Sequence, residues 1–268
     1  MARAIAIANQ KGGVGKTTTA INLGAALALK GLPTVIIDCD PQANTTAGLG
    51  FTPDPGRRTL YHGLMMDAYM PSLTVAAGME HLSLIPSEKN LVGANIELSD
   101  QDQREHVLQK KLGPLREAFQ FVILDCPPAL DLLTLNALVA ADSVVVPVQC
   151  EYFALEGVSG LLDTFARVRR SHNPKLAIEG ILLTMYDDRT NLSHQVRDDL
   201  VNFFGNRVFQ TVIPRNVRLA EAPSHGKPIF LYDPACRGAE SYAQLAEEVI
   251  SHDSQGTGTG PERPDPGA

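Results

Sequence analysis

"NQKGGVGKTTTA", residues 9–20, decides how the rest of the chain is read. Its Gly-Lys-Thr end, Gly15-Lys16-Thr17, closes a phosphate-binding loop. Gly12, Gly13 and Gly15 free the backbone to turn successive N–H groups toward one anion, with Val14 among them. The apolar stretch before the loop reads as a strand and "TTTAINLGAALALKG" after it as a helix ending at Gly31. That helix adds its positive dipole end to the loop. Lys16 is then placed on the β- and γ-phosphates, the Thr17 hydroxyl on Mg²⁺, and Thr18 on the α-phosphate. A second lysine, Lys11, stands on the other side of the glycines and is not explained by the loop itself.

Working outward, strands are expected at 3–8, 34–38, 82–85, 121–125, 143–148, 178–184 and 208–213, with amphipathic stretches between them. Such alternation predicts an α/β fold: a single doubly wound, mostly parallel sheet flanked by helices. Residues 51–80 read as a loop and short-helix excursion. A last helix, "AESYAQLAEEVISH", precedes a Gly/Pro/Thr-rich end. The expected organisation is one nucleotide-binding domain over 1–250 and a disordered tail over 251–268. Ligands of open α/β sheets sit at the carboxyl ends of the strands. "FVILDCPP" puts Asp125 there and "TVIIDCDPQ" puts Asp38 and Asp40 there, as carboxylates for the metal's water shell or as caps of a helix or turn.

Bulk properties narrow the classes. The chain has 268 residues, 44% hydrophobic and 20% charged, with a formal net charge of −7. A sizeable core is affordable, and nucleic-acid binding requires a local basic patch. The apolar runs are strand-length, short of a membrane span, and the N-terminus reads as a first strand, not a signal peptide. The four cysteines, Cys39, Cys126, Cys150 and Cys236, form no Cys-x-x-Cys pair and read as reduced thiols.

The blocks "KGGVGKT", "VIIDCDPQ" and "FVILDCPP" together resemble the deviant Walker motifs of the ParA/MinD ATPases. "TMYDDRTNLSHQV" and "VIPRNVRLAEAPSHGKPI" are similar to the chromosomal ParA (Soj) branch. The resemblance runs from about residue 3 to 250, leaving out 51–80 and the tail. It implies an Mg²⁺-dependent ATPase of chromosome segregation that forms a homodimer sandwiching two ATP. Lys11 matches the family's lysine that reaches the phosphates held by the partner subunit. Asp40 resembles its water-positioning carboxylate, with Asp38 and Asp125 acting through the metal. The adenine is expected against Met185–Asp187 and Pro214–Asn216, so Met185, Pro214 and Asn216 are the candidates there. A ParB-type centromere-binding partner is implied as the stimulator of hydrolysis.

Arg207, Arg215, Arg218 and Lys227 oppose one acid, Glu221, within 205–228; Arg189 and "RVRRSHNPK" add to them. The resemblance implies non-specific double-stranded DNA binding through Arg189, Arg218 and Lys227, and a cytoplasmic, nucleoid-associated protein. With neither a helix-turn-helix nor aromatic interleaving, contact is expected to be with phosphates and salt-sensitive. No membrane binding is expected, because "YAQLAEEVI" carries two glutamates and no basic residue. A MinD-like membrane switch and an iron–sulfur reductase are the alternatives.

Overall fold

Runs rich in Val and Ile pair side by side when helices cover both faces of the sheet they make. The structure, a computed structural model, describes residues 2–151 and 154–254. Its first half contains β1 (Arg3–Ile7), α1 (Lys16–Leu29), β2 (Thr34–Asp38), α2 (Asn44–Gly48), α3 (Leu60–Met65), β3 (Val75–Ala76), β4 (Leu82–Ile85), α4 (Leu91–Glu97), α5 (Val107–Lys111) and α6 (Gly113–Ala118). The second half contains β5 (Phe121–Asp125), α7 (Leu132–Ala140), β6 (Ser143–Gln149), α8 (Ala154–Ser171), β7 (Ala177–Thr184), α9 (Asn191–Phe204), α10 (Val217–Glu221), α11 (Ile229–Tyr232) and α12 (Arg237–Ser254).

The seven strands lie in the order β3-β4-β2-β5-β1-β6-β7, all parallel except β3, which runs against β4. The period of two divides β1 between two cores. Ala4, Ala6 and Ala8 face Val35, Ile37, Val122 and Leu124 with Ala137, Leu138, Leu161 and Phe165 from α7 and α8. Ile5 and Ile7 face Ile36, Ile123 and Val145 with α1 and α12, whose Tyr242, Leu245, Ala246 and Val249 are buried. Helix α1 packs against α12, with the Thr19 hydroxyl 3.2 Å from that of Tyr242. It ends as expected: Gly31 turns at φ 75 and its N–H returns to Ala28 O at 2.9 Å.

Two expectations are corrected. Residues 208–213 form no strand; Val208 makes an isolated bridge to Ile181 and Ile213 N–H bonds Leu183 O at 2.8 Å. The ladder breaks because the Glu248 carboxylate takes Gln210 N–H at 2.9 Å and Thr211 N–H at 2.7 Å. The seventh strand is instead β3, inside the excursion that was read as loop and helix. Helix α12 continues through residues 251–254, and the rest of the expected tail lies outside the described residues.

Candidate nucleotide site

β1 lies between β5 and β6 while the chain returns first to β2, so the loop after β1 leaves the sheet at its switch point. That loop begins with Asn9, whose side chain takes Lys11 N–H at 3.0 Å and donates to Pro147 O at 2.7 Å. Gln10 occupies the place where the full Gly-x-x-x-x-Gly-Lys-Thr pattern has its first glycine, so the bend falls to Gly13 (φ 76) and Gly15 (φ 89). Gly15 is the N-cap of α1, and Thr184 seals the loop from β7 by donating to Val14 O at 2.9 Å.

The two lysines differ in burial and in partner. Lys16 is 7% exposed and its Nζ donates to Lys11 O at 3.0 Å. Burial holds its pKa below the ordinary lysine value, against the pull of Asp125. Lys11 is exposed, and its Nζ pairs with Glu151.

Asp38 and Asp125 lie in register on adjacent strands and are fully buried. Burial pushes both carboxyl groups up, and the charge of Asp125 adds to the rise at Asp38. Thr17 and Thr45 hydroxyls donate to Asp125 Oδ2 at 2.9 and 2.7 Å. Asp125 Oδ1 is buried and accepts no hydrogen bond among the described residues. An orphaned carboxylate oxygen beside a phosphate-loop threonine fits the water shell of a hard divalent cation. Both oxygens of Asp38 are committed: Oδ1 to Asp40 N–H at 3.1 Å, and Oδ2 to the Thr46 N–H and hydroxyl at 2.8 and 2.6 Å. Asp38 therefore anchors α2 beside Asp125. Asp40 is 7% exposed and keeps its Oδ1 on Gln42 N–H at 2.9 Å.

Sequence reading missed Thr45 and Thr46, which follow "DPQAN" and carry the hydroxyls that steer the two aspartates. Thr45→Val keeps the shape and removes one donor to a buried carboxylate, a cost of about 1–3 kcal/mol. The nucleotide-free protein should melt about 2–10 °C lower by scanning calorimetry. An unchanged midpoint would show that Thr45 does not support Asp125.

The adenine candidates sit where β7 ends. Met185 adopts φ 51, and Tyr186 bridges Pro214. Asn216 caps α10, its Oδ1 taking Arg218 N–H at 2.8 Å. The same bridge, with Arg215 N–H on Tyr186 O at 3.0 Å, joins the loop of Arg189 to the segment of Arg218. Each arginine carries its own acid. Arg189 makes a two-pronged pair with Asp187 at 2.9 and 2.8 Å, and Arg218 pairs with Glu221 at 2.9 Å and Asp233 at 3.4 Å. Lys227 is exposed and makes no ion pair among the described residues. Arg167, Arg169 and Arg170 lie near the end of α8, which leads into the start of β7, the opposite end of the sheet. They do not join the Arg189–Lys227 surface.

A glycine loop at the switch point of a parallel sheet, with a buried lysine and a buried strand-end aspartate, defines a P-loop nucleotide-binding protein. A family model described as an AAA domain matches residues 2–178. The chain is 52% identical to the sporulation initiation inhibitor protein Soj of Bacillus subtilis, over 94% of this chain and 100% of Soj. It is 49% identical to the chromosome partitioning protein ParA of Myxococcus xanthus, over 94% and 89% of the two chains. The chain belongs to the ParA/MinD family of P-loop ATPases, in its Soj/ParA branch. Among solved structures, cobyrinic acid a,c-diamide synthase of Mycobacterium smegmatis with a bound ATP analogue and magnesium superposes with a TM-score of 0.83. The two are 35% identical, and the match covers 95% of this chain and 96% of that one.

Proposed function

We propose that this chain is a chromosome-partitioning ATPase whose ATP-bound dimer holds duplex DNA and lets it go on hydrolysis stimulated by a ParB-type partner. The observation that carries the reading is the contrast between the loop's lysines, Lys16 buried on its own loop and Lys11 exposed. A triphosphate enclosed between two subunits needs cations from both. Gly12, Gly13, Val14 and Gly15 cradle the phosphates with Lys16, Thr17 and Thr18, and the adenine lies by Met185, Pro214 and Asn216. Magnesium, when bound, neutralises phosphate charge. Thr17 would hold it directly, and Asp125, with Asp38 beside it, would hold its water shell. Asp40 orients the attacking water. Residues 1–250 act as one unit.

DNA phosphates are met by Arg189, Arg218 and Lys227 from the joined loops. Two of these side chains start paired with acids, so phosphate contact exchanges one partner for another and its net gain is modest. DNA is favoured over a membrane because the apolar stripe of α12 is already spent in the core. Among the described residues no helix is long and apolar enough to cross a membrane. On the DNA reading and the likeness to Soj and ParA, the protein is read as cytoplasmic and associated with the nucleoid.

The test is co-sedimentation with duplex DNA and with anionic liposomes, each with and without a non-hydrolysable ATP analogue. ATP-dependent DNA binding supports the reading; liposome binding alone overturns it. Lys227→Ala, at a lysine with no acid partner among the described residues, removes two full phosphate contacts per dimer, whereas Arg218→Ala, at a residue already paired with Glu221 and Asp233, should have the smaller effect. For Lys227→Ala the slope of log affinity against log salt should flatten by roughly 1.8, equally on unrelated sequences. An unchanged slope would exclude the substituted residue as a phosphate contact.

A further inference from the structure

Helix α2 connects the aspartates to the basic segment over a very short path. Its first turn hangs on Asp125 through Thr45 and on Asp38 through Thr46. The chain then turns at Gly50 (φ 88), whose N–H bonds Ala47 O at 2.9 Å. There it lies backbone to backbone against Gly226 (φ 64), between Arg218 and Lys227 of the basic segment. A methyl group on Gly226 would stand 2.5 Å from Gly50 Cα and 3.0 Å from Gly50 N. One on Gly50 would stand 3.1 Å from Gly226 O. No side chain intervenes, so there is nothing soft to absorb a displacement of α2. The far end of the segment is tied to the same site. Ile229 N–H donates to the buried Asn22 Oδ1 at 2.8 Å, and Asn22 Nδ2 donates to Thr18 O at 2.8 Å.

We propose that the Gly50–Gly226 backbone contact is the joint through which the state of the nucleotide site sets the position of the segment carrying Arg218 and Lys227. Thr17 and Thr45 share one oxygen of Asp125. Any change in what the Thr17 hydroxyl and Asp125 hold is therefore felt first at the N-terminus of α2. A five-residue helix is too short to bend and passes the change to Gly50. Asn22 holds the other end of the segment still, so the movement becomes a reorientation about Ile229. The proposal rests on the DNA reading above and names the coupling within it.

The experiment compares wild type, Gly226→Ala, Gly50→Ala and the double variant. It measures affinity for a fluorescent non-hydrolysable ATP analogue, analogue-driven dimerisation, and DNA affinity with and without the analogue. Gly226→Ala should bind the analogue and dimerise as wild type does, while the gain in DNA affinity on adding analogue falls about tenfold. Reciprocity requires DNA's enhancement of analogue binding to fall by the same factor. Gly50→Ala should act in the same direction, and the double variant should lose less than the product of the two, because both break one contact. A Gly226→Ala protein with the full wild-type gain overturns the proposal, as does one that loses analogue binding and DNA binding in proportion. Should the variants fail to fold, hydrogen exchange of wild type decides. Protection over 217–228 should change on adding analogue without DNA, and an unchanged segment overturns the joint. Wild type that never binds DNA is a different result: it sinks the DNA reading itself.

Discussion

Lys16→Ala should cost two to four orders of magnitude in ATP affinity, with dimerisation, hydrolysis and DNA binding lost alongside. Lys16 is the buried cation of the loop, and its ammonium has a backbone carbonyl, Lys11 O, as its hydrogen-bond acceptor. Two charge-assisted bonds to phosphate oxygens at about 1.5–3 kcal/mol each account for a loss of roughly that size. The substitution leaves the folded scaffold little changed, because burial already disfavours the charged form of this lysine. Titration calorimetry with a thermal melt separates a lost site from a lost fold. ATP affinity like that of wild type would refute the assignment of the loop.

Lys11→Ala should behave differently although the two lysines flank the same glycines. It should bind ATP nearly as well as wild type in the monomer, then fail to dimerise, hydrolyse poorly and hold DNA weakly. Dimerisation of the proposed kind would draw Lys11 away from Glu151, an exposed pair worth about 1 kcal/mol or less, so the cis contact would be a small barrier. Asp40→Ala should accumulate as an ATP-bound dimer without turnover. Mixing the two inactive variants makes the point sharply. In the mixed dimer one site has Asp40 from its own chain and Lys11 from the other, so hydrolysis should return. Were Lys11 to act on its own loop, each site would carry one lesion and mixing would restore nothing. The mixed dimer is first captured by a tag on one variant, after which absent turnover counts against the trans assignment.

The phosphate loop and the strand-end aspartates were legible because each is written in contiguous residues. Lys16 follows its glycines directly, and Asp38 and Asp125 end apolar runs. Thr45 and Thr46 were not legible, since a hydroxyl's partner across the sheet leaves no local pattern. The stretch 208–213 has the apolar alternation of a strand, and only the distant Glu248, taking two of its N–H groups, reveals why it does not join the ladder. The two residues of β3 are too few to carry any period. The basic surface looked richer in the sequence than it is. Asp187 and Asp233 lie outside residues 205–228, yet they pair with Arg189 and Arg218.

The strand order also has a cost during synthesis. β1 leaves the ribosome first, but its neighbours are β5 and β6, and β2 must wait for β4 and β5 in the same way. At ~5–20 residues per second, about 6–24 s separate the emergence of residues 3–7 from that of residues 121–125. Through that interval the apolar β1 has no strand to pair with, and α1, clad in small apolar residues, has only the short β2–β4 pair to lie on. The nascent chain should consequently bind chaperones that shield exposed apolar segments. A fragment stopped before residue 121 should be insoluble when expressed alone, whatever its affinity for phosphate.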